Sequence, residues 1–456
     1  MELFVIDGGK PLYGSVGTQG SKNSILPIMA AALLSEEGCR LENCPRLSDV
    51  ETALAILRLL GCRGKLRGHA LELDCSRAAF AAVPTALAGK MRASILFLGP
   101  LLARFGRAEL PLPGGCRLGP RPIDLHLAAL RQLGAEIAVE EGRLLCHAEK
   151  LRGAEICFPS PSVGATENAL MAAAAAEGES LLLGCAREPE IVDLAAFLCA
   201  MGARIRGAGT DRIYVEGVSR FHAARHRIIP DRIAAATTLC AAAACGGEVE
   251  LGNCDPVALA PVLRSLGEMG CTLIIDGDRI CLSRRGALKA PAPIRTGPWP
   301  AFPTDAQPPL LAASLRAEGE SFFEETVFSA RFAYAAELKA LGARLRVSGQ
   351  SSRVKGVPVL RGGELRALDL RGGAALLIGA LQAEGVSRLW GAEYIDRGYE
   401  APEQTLTALG ARIQRKEGRP TEQQSEQTPP EKEHRAPGDP QSDRPGSDRG
   451  GYRIIF

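Results

Sequence analysis

A chain of 456 residues, 46% hydrophobic, with 51 glycines and 5% aromatics, is long enough for two or three domains with cores of their own. Its net charge of +2 leaves no global field for nucleic acid, and basic residues scattered through polar, glycine-containing loops suit a small anionic ligand better than a polyanion. Apolar runs are broken by Gly, Glu or Arg well short of the roughly 18 residues a membrane span needs, so no membrane insertion is expected.

The chain opens with Met1-Glu2-Leu3-Phe4-Val5-Ile6-Asp7, without the basic and long apolar regions of a secretory signal. Fourteen cysteines follow, none spaced as CxxC and most set in apolar stretches, such as Cys199 in an Ala/Leu run and Cys240 and Cys245 in an Ala run. That usage predicts reduced, packed thiols in the cytoplasm and no disulfide framework. There is no Walker A motif, no GxGxxG after a strand, no HExxH and no Cys/His ligand set, so neither a metal nor a cofactor is expected.

The first loop with chemical content is Gln19-Gly20-Ser21-Lys22-Asn23-Ser24, just ahead of an apolar helix. Ser21 or Asn23 is placed to cap that helix, whose N-terminus attracts anions, and Lys22 adds a full charge there. Beyond it, two series of glycines mark an internal repeat. Gly38, Gly106, Gly178, Gly247, Gly319 and Gly385 each end a small-residue or Leu-rich helix ahead of a short β-like run. Gly61, Gly134, Gly202, Gly270, Gly342 and Gly410, in Leu-Gly-Ala or a variant of it, mark a second helix end. Both series recur at intervals of about 70 residues, which predicts six copies of an α/β unit.

The third copy displays the pattern. A buried strand over 180–183 is followed by a helix with Pro189 in its first turn and Ile191, Leu194 and Leu198 on one face. Gly202 supplies a positive-φ residue after that helix, and 203–206 with 212–215 reads as a hairpin. Asp255-Pro256 plays the N-cap and first-turn part in the fourth copy. Three such units burying their helices together, with sheets outside, make one domain, and six make two. The stretch from Arg225 to Ile233 is the natural crossing, and the cleft between the halves is the preferred ligand site.

Three more loops break the repeat. Residues 113–124, Pro-Gly-Gly-Cys-Arg-Leu-Gly-Pro-Arg-Pro-Ile-Asp, hold Cys116 close to Arg117 and Arg121, and nearby cations lower a thiol pKa. The proline-rich stretch Pro298-Trp299-Pro300-Ala301-Phe302-Pro303-Thr304-Asp305 leads into a helix with Leu310 and Leu311; Asp305 is either its N-cap or a general base on a stiff loop. In Tyr394-Ile395-Asp396-Arg397-Gly398-Tyr399-Glu400 the guanidinium of Arg397 either faces an anion or closes a salt bridge with Asp396 or Glu400. Arg92 and Arg232 pose the same choice. Residues 418–451 carry no apolar side chain larger than Ala436 and are expected to form a disordered tail, ending in Tyr452-Arg453-Ile454-Ile455-Phe456. The residues alone give an anion-binding, two-domain cytoplasmic enzyme with one candidate reactive thiol.

These loops resemble, in order and spacing over residues 1 to about 417, those of the UDP-N-acetylglucosamine 1-carboxyvinyltransferase family of enolpyruvyl transferases. The resemblance rests on Gly20-Ser21-Lys22-Asn23, Met91-Arg92-Ala93-Ser94, Leu112-Pro113-Gly114-Gly115-Cys116, Arg121-Pro122-Ile123-Asp124-Leu125-His126 and Ser162-Val163-Gly164-Ala165-Thr166. It continues through Arg187-Glu188-Pro189-Glu190-Ile191-Val192-Asp193, Pro230-Asp231-Arg232-Ile233, Phe302-Pro303-Thr304-Asp305, Glu325-Thr326-Val327-Phe328 and Ile395-Asp396-Arg397-Gly398-Tyr399-Glu400. It implies the inside-out α/β barrel, two domains each of three βαβαββ repeats: 21–229 as one, 1–20 with 230–417 as the other, and 418–456 as the tail.

The implied reaction moves the enolpyruvyl unit of phosphoenolpyruvate to the 3′-hydroxyl of UDP-N-acetylglucosamine and releases phosphate, the first committed step of peptidoglycan synthesis. By that resemblance Lys22, Arg121 and Arg397 clamp phosphoenolpyruvate, Cys116 is the general acid and the thiol alkylated by fosfomycin, Asp305 is the base at the 3′-hydroxyl, and Asp369 is an acid beside the reacting centre. Asn23, Arg92, Pro122, Ile123, Asp124, Leu125, Ser162, Val163, Gly164, Val327 and Arg371 match substrate contacts. No protein partner is implied. Ser160 stands where the family commonly has Lys, Trp299 where it has His, and Gly372-Gly373-Ala374 where it has Ala-Ser-Ala. Two other readings stay open: an enzyme making enolpyruvyl-shikimate phosphate, and a catalytically weak paralogue that binds UDP-sugar in a regulatory role.

Overall fold

Each glycine of the first series stands at or just before the start of a strand: Gly38–Glu42, Arg107–Pro111, Glu179–Leu183, Gly247–Gly252, Glu320–Glu324 and Val386–Trp390. Each glycine of the second series has a positive φ, from +85° at Gly61 to +104° at Gly202. A side chain is strained there, and the turn leads straight into the strands Arg63–Arg67, Glu136–Glu140, Arg204–Arg206, Thr272–Asp276, Arg344–Ser348 and Arg412–Glu417. The computed structural model describes residues 1–112, 118–119 and 122–418, so the expected tail beyond Gly418 lies outside the described residues.

Six sheets are present among the described residues, and in each the strand that follows a second-series glycine is an edge. In the third copy Leu182 pairs antiparallel with Ile213 and parallel with Ile156, and Ile205 pairs with Val215, so the expected hairpin is formed. The N-terminal strand Glu2–Asp7 sits between Val386–Trp390 and Arg412–Glu417, antiparallel to both. The start of the chain is therefore an integral strand of the sixth copy's sheet.

Helices turn inward. Val163–Ala173 and Arg232–Cys245 are buried on almost every face, which their alanine content permits by letting backbones approach closely. Buried apolar side chains form two clusters, one from Ile25 to Ile228, the other from Phe4, Ile6 and Leu12 with Ile233 to Ile413. Burying one such Leu or Ile contributes roughly 1.5–3 kcal/mol.

Two segments pass between these clusters side by side. Gly20 pairs antiparallel with Pro230, Ser21 N–H donates to the Ile229 carbonyl at 2.8 Å, and Asp231 N–H to that of Gln19 at 2.9 Å. A Cβ on Gly20 would lie 1.7 Å from the Asn43 carbonyl oxygen, so only glycine fits the crossing.

The thiols depart in part from expectation. The thirteen described cysteines are free and nine are buried, but Cys157 and Cys199 are exposed and Cys245 and Cys281 half-buried. Cys199 lies in the last turn of the helix Pro189–Ala200, off the buried face that carries Leu194 and Leu198, so its apolar neighbours do not cover it.

Candidate functional site

Lys22 opens the helix Lys22–Ala31, but neither Ser21 nor Asn23 caps it. The cap comes from across the crossing: Asp231 Oδ2 accepts Lys22 N–H at 3.0 Å, while Asp231 Oδ1 accepts Ile233 and Ala234 N–H at 2.9 Å. One carboxylate thus closes the first turns of two helices, one in each cluster. It holds Lys22 against Asp49, with Lys22 Nζ 2.8 Å from Asp49 Oδ2.

Arg397 reaches the same carboxylate from the far end of the chain, Nε to Asp49 Oδ1 at 2.9 Å and Nη2 to Oδ2 at 3.3 Å. Asp49 is 4% exposed, Lys22 11% and Arg397 34%, so the arginine is the member open to solvent. Burial would raise the Asp49 carboxyl, but Lys22 and Arg397 outweigh it and hold the group below its ordinary range. Burial lowers Lys22; Asp49 opposes that shift, and Arg371 and Arg397 add to it.

Asp305 does not cap the helix Gln307–Ala313, whose N-cap is Ala306. It accepts instead from Arg331 Nη2 at 2.6 Å on Oδ1 and from Arg371 Nε at 3.1 Å on Oδ2. These arginine side chains are 1% and 3% exposed, against 26% for Asp305. Burial pushes the Asp305 carboxyl up, but Arg371 and Arg331 overcome that and hold it well below the usual carboxylate range. Arg331 also donates to Thr304 Oγ1 at 3.1 and 3.0 Å, and that hydroxyl donates to Glu325 at 2.9 Å, which ties down the proline-rich loop.

Asp369 caps the helix Leu370–Gln382, accepting from Arg371 and Gly372 N–H. Arg371 lies within electrostatic reach of Lys22, Asp231 and Asp305, so the two carboxylate–cation groups share one field. Lys22, Asp305, Asp369, Arg371 and Arg397 are therefore brought together, and Asn23, half-buried, follows Lys22 in the first helical turn.

A further group gathers around Asn168. Its amide donates to the Ile95 carbonyl at 3.0 Å in the turn Arg92–Phe97 and lies 2.8 Å from His126 Nδ1, while its Oδ1 accepts Gly99 N–H at 3.0 Å. His126 belongs to the helix Asp124–Gln132 and packs on Gly164, where a Cβ would sit 2.9 Å from its ring. Ser162 caps the helix Val163–Ala173 by accepting Ala165 N–H. Arg92, Ile123 to Leu125 and Ser162 to Gly164 are so assembled from three elements. Pro122 and Ser160 are exposed, as is Val327, whose N–H donates to Glu325 Oε1 at 2.8 Å.

Cys116 and Arg121 lie outside the described residues. Leu118, just after the cysteine, accepts Ala330 N–H at 3.1 Å, and a Cβ on Gly119 would meet Ser329 Oγ at 2.2 Å. Those residues thus stand against the segment that leads into Arg331. Trp299 donates its N–H to Glu188 at 3.2 Å and lies under Arg232, which pairs with Glu190 at 2.9 and 3.2 Å.

Reading the sequence missed Asp49 and Arg331. Asp49 sits in the first turn of the helix Ser48–Leu59, where an acid is routine, and Arg331 belongs to no motif. Only their burial marks them. Among the described residues no group of three or more His, Cys, Asp or Glu is placed to hold a metal ion, and no helix is long and apolar enough to cross a membrane. Buried cations around two carboxylates can bind a small, multiply charged anion and set a base beside it.

Comparison with known proteins bears on this site. The family described as EPSP synthase (3-phosphoshikimate 1-carboxyvinyltransferase) matches residues 6–437. A UDP-N-acetylglucosamine 1-carboxyvinyltransferase 2 of Caldanaerobacter subterraneus is 45% identical over 91% of this chain and 100% of its own length. A UDP-N-acetylglucosamine 1-carboxyvinyltransferase 1 of Carboxydothermus hydrogenoformans is 46% identical over 92% and 99%. The crystal structure of the enolpyruvyl transferase NikO from Streptomyces tendae superposes with a TM-score of 0.81 at 28% identity, covering 91% of this chain and 98% of that one. An EPSP synthase from Acinetobacter baumannii shares the fold, with a TM-score of 0.69 at 19% identity over 91% of this chain and 100% of that one. Its architecture is accordingly the inside-out α/β barrel of these enzymes, and the chain belongs to the EPSP synthase family, among the UDP-N-acetylglucosamine 1-carboxyvinyltransferases.

Proposed function

We propose that this chain transfers the enolpyruvyl group of phosphoenolpyruvate to the 3′-hydroxyl of UDP-N-acetylglucosamine and releases phosphate, opening peptidoglycan synthesis in the cytoplasm. The observation that carries the reading is the pairing of Lys22 and Arg397, 375 positions apart in sequence, on the buried carboxylate of Asp49, within electrostatic reach of the Arg371 that holds Asp305. The two buried clusters are read as two domains, 1–20 with 230–417 and 21–229, with the substrates between them.

The incoming phosphate displaces the Asp49 carboxylate from Arg397, the more exposed cation, and keeps Lys22; Arg121 completes the clamp. Asn23, Arg92, residues 122–125, Ser162 to Gly164 and Val327 hold the nucleotide sugar. The 3′-oxygen then attacks C2 of phosphoenolpyruvate while the Cys116 thiol gives its proton to C3, forming a tetrahedral adduct. Loss of a C3 proton and cleavage of the bond from C2 to the phosphate oxygen give the enolpyruvyl ether and free phosphate. Asp305 takes the hydroxyl proton. Held by two arginines it is a weak base, and it gains strength as the substrate anion draws charge from Arg331 and Arg371. Asp369 acts by fixing Arg371.

The test is phosphate release from phosphoenolpyruvate, assayed with and without UDP-N-acetylglucosamine. Release that depends on the sugar nucleotide is the expected result; none, with folded protein, rejects the reading.

A further inference from the structure

The turn that carries Arg397 has an acid on each side, and simple proximity favours a local pair with Asp396 or Glu400. Neither forms. Glu400 accepts Arg46 N–H at 3.0 Å, and its own N–H donates to Gln19 at 2.8 Å. Asp396 is taken by Arg415, on the last described strand, Arg412–Glu417. Arg415 donates to Asp396 through two nitrogens, Nη1 to Oδ2 at 2.8 Å and Nη2 to Oδ1 at 2.6 Å.

The same guanidinium donates to Glu403 through Nε and Nη2, both at 3.2 Å, and to Glu2 at 2.6 Å, with its face over the Phe4 ring at 4.8 Å. All three of its nitrogens are engaged, and its planar fork is fixed by groups from three elements. The Asp396 carbonyl meanwhile accepts the N–H of Ser48, the residue before Asp49, at 3.3 Å. The main chain of this residue is tied to the Asp49 turn while its carboxylate is drawn to Arg415.

We propose that Arg415 is a positioning residue for phosphoenolpyruvate binding: it sequesters the Asp396 carboxylate, so that Arg397 stays extended towards Asp49 and the substrate anion and does not fold back on its neighbour. Removing the guanidinium leaves Asp396 a carboxylate without its cation, and the next residue along the chain is Arg397. An arginine paired with Asp396 is lost to the clamp. The proposal rests on the transferase reading above.

The experiment is steady-state phosphate release by the full chain carrying R415M, D396N, or both. R415M is expected to lower kcat/KM for phosphoenolpyruvate by roughly tenfold, about the worth of one redirected charge-assisted hydrogen bond, with the KM for UDP-N-acetylglucosamine little changed. D396N alone should act like the unaltered chain. The decisive arm is the double variant: with the competing carboxylate gone, R415M/D396N should recover most of the lost kcat/KM. A double variant no better than R415M, or an R415M with undiminished kcat/KM, overturns the proposal, because a merely structural arginine is not rescued by deleting its partner. If R415M does not fold, R415K against R415K/D396N makes the same comparison, since lysine lacks the second nitrogen needed to hold both Asp396 oxygens. Absence of sugar-dependent release from the unaltered chain would instead strike the transferase reading.

Discussion

Asp369 and Asp305 grip Arg371 from opposite ends: the first accepts its main-chain N–H and the second its guanidinium Nε, each at 3.1 Å. A helix cap and an active-site ion pair are thus one mechanical unit. Asp369→Ala should cost about 1 kcal/mol in urea unfolding, the ordinary worth of a cap. Its loss in phosphate release should be larger than that figure implies, because the first turn that aims Arg371 frays. Asp369→Asn, a comparable cap, should restore the stability and retain more turnover than the alanine variant.

Asp305→Asn should reduce kcat for phosphate release by roughly 10²–10⁴-fold, the usual contribution of a positioned base. It also leaves two buried guanidiniums without their shared anion, at a cost of roughly 1.5–3 kcal/mol in denaturant unfolding. The pH dependence has a definite sign. The Asp305 carboxyl is held well below its ordinary value in the folded chain, so the unfolded chain binds the proton more readily. The stabilisation is present above about pH 4 and is lost as pH falls below it towards the folded-state value. The unfolding free energy of Asp305→Asn should be correspondingly flatter across that acid window.

Asp49→Asn tests the other carboxylate. Asp49 is the group that counters the lowering of Lys22 by burial and by the arginines nearby. Without it the Lys22 amine gives up its proton at lower pH, and a neutral amine does not clamp phosphate. The alkaline limb of the kcat/KM profile for phosphoenolpyruvate should move to lower pH. An unmoved limb would mean that Lys22 is not the titrating clamp.

The fold was legible because glycine is the cheap residue at positive φ, so the helix ends had to be written into the sequence at a fixed period. The site was legible only where a loop broke that period. Asp49 and Arg397 meet across 348 positions, and neither flanking sequence encodes the pairing. The local ion pairs and caps that the sequence offers were the wrong partners in three places. Arg397 leaves Asp396 to Arg415, Asp305 leaves its helix to Ala306, and Ser21 leaves the cap of its helix to Asp231. In each case a side chain distant in sequence and already ordered by packing took the place of a local partner: Arg415 took Asp396, Arg331 and Arg371 took Asp305, and Asp231 took the Lys22 N–H, which is where propensity and spacing lose their authority.

Gly372, the first of the Gly372-Gly373 pair, has a packing reason. A Cβ on Gly372 would lie 2.5 Å from Asp369 Oδ2 and 2.8 Å from the Cβ of the buried Tyr334. Helix propensity alone says that Gly→Ala stabilises by up to about 1 kcal/mol. That gain should appear at Gly267, exposed in the helix Pro256–Glu268, whose added Cβ would meet only the Leu273 Cδ1 at 3.9 Å. At Gly372 the overlap should reverse the sign, with a net loss within the roughly 1–3 kcal/mol typical of overpacking. Turnover should fall with it, since the Oδ2 that must move belongs to the carboxylate whose Oδ1 accepts from, and so orients, the first turn carrying Arg371. Parallel urea melts and phosphate-release assays of Gly372→Ala and Gly267→Ala decide the matter: equal stabilisation by both would show that Gly372 is a tolerated gap and not a fitted contact.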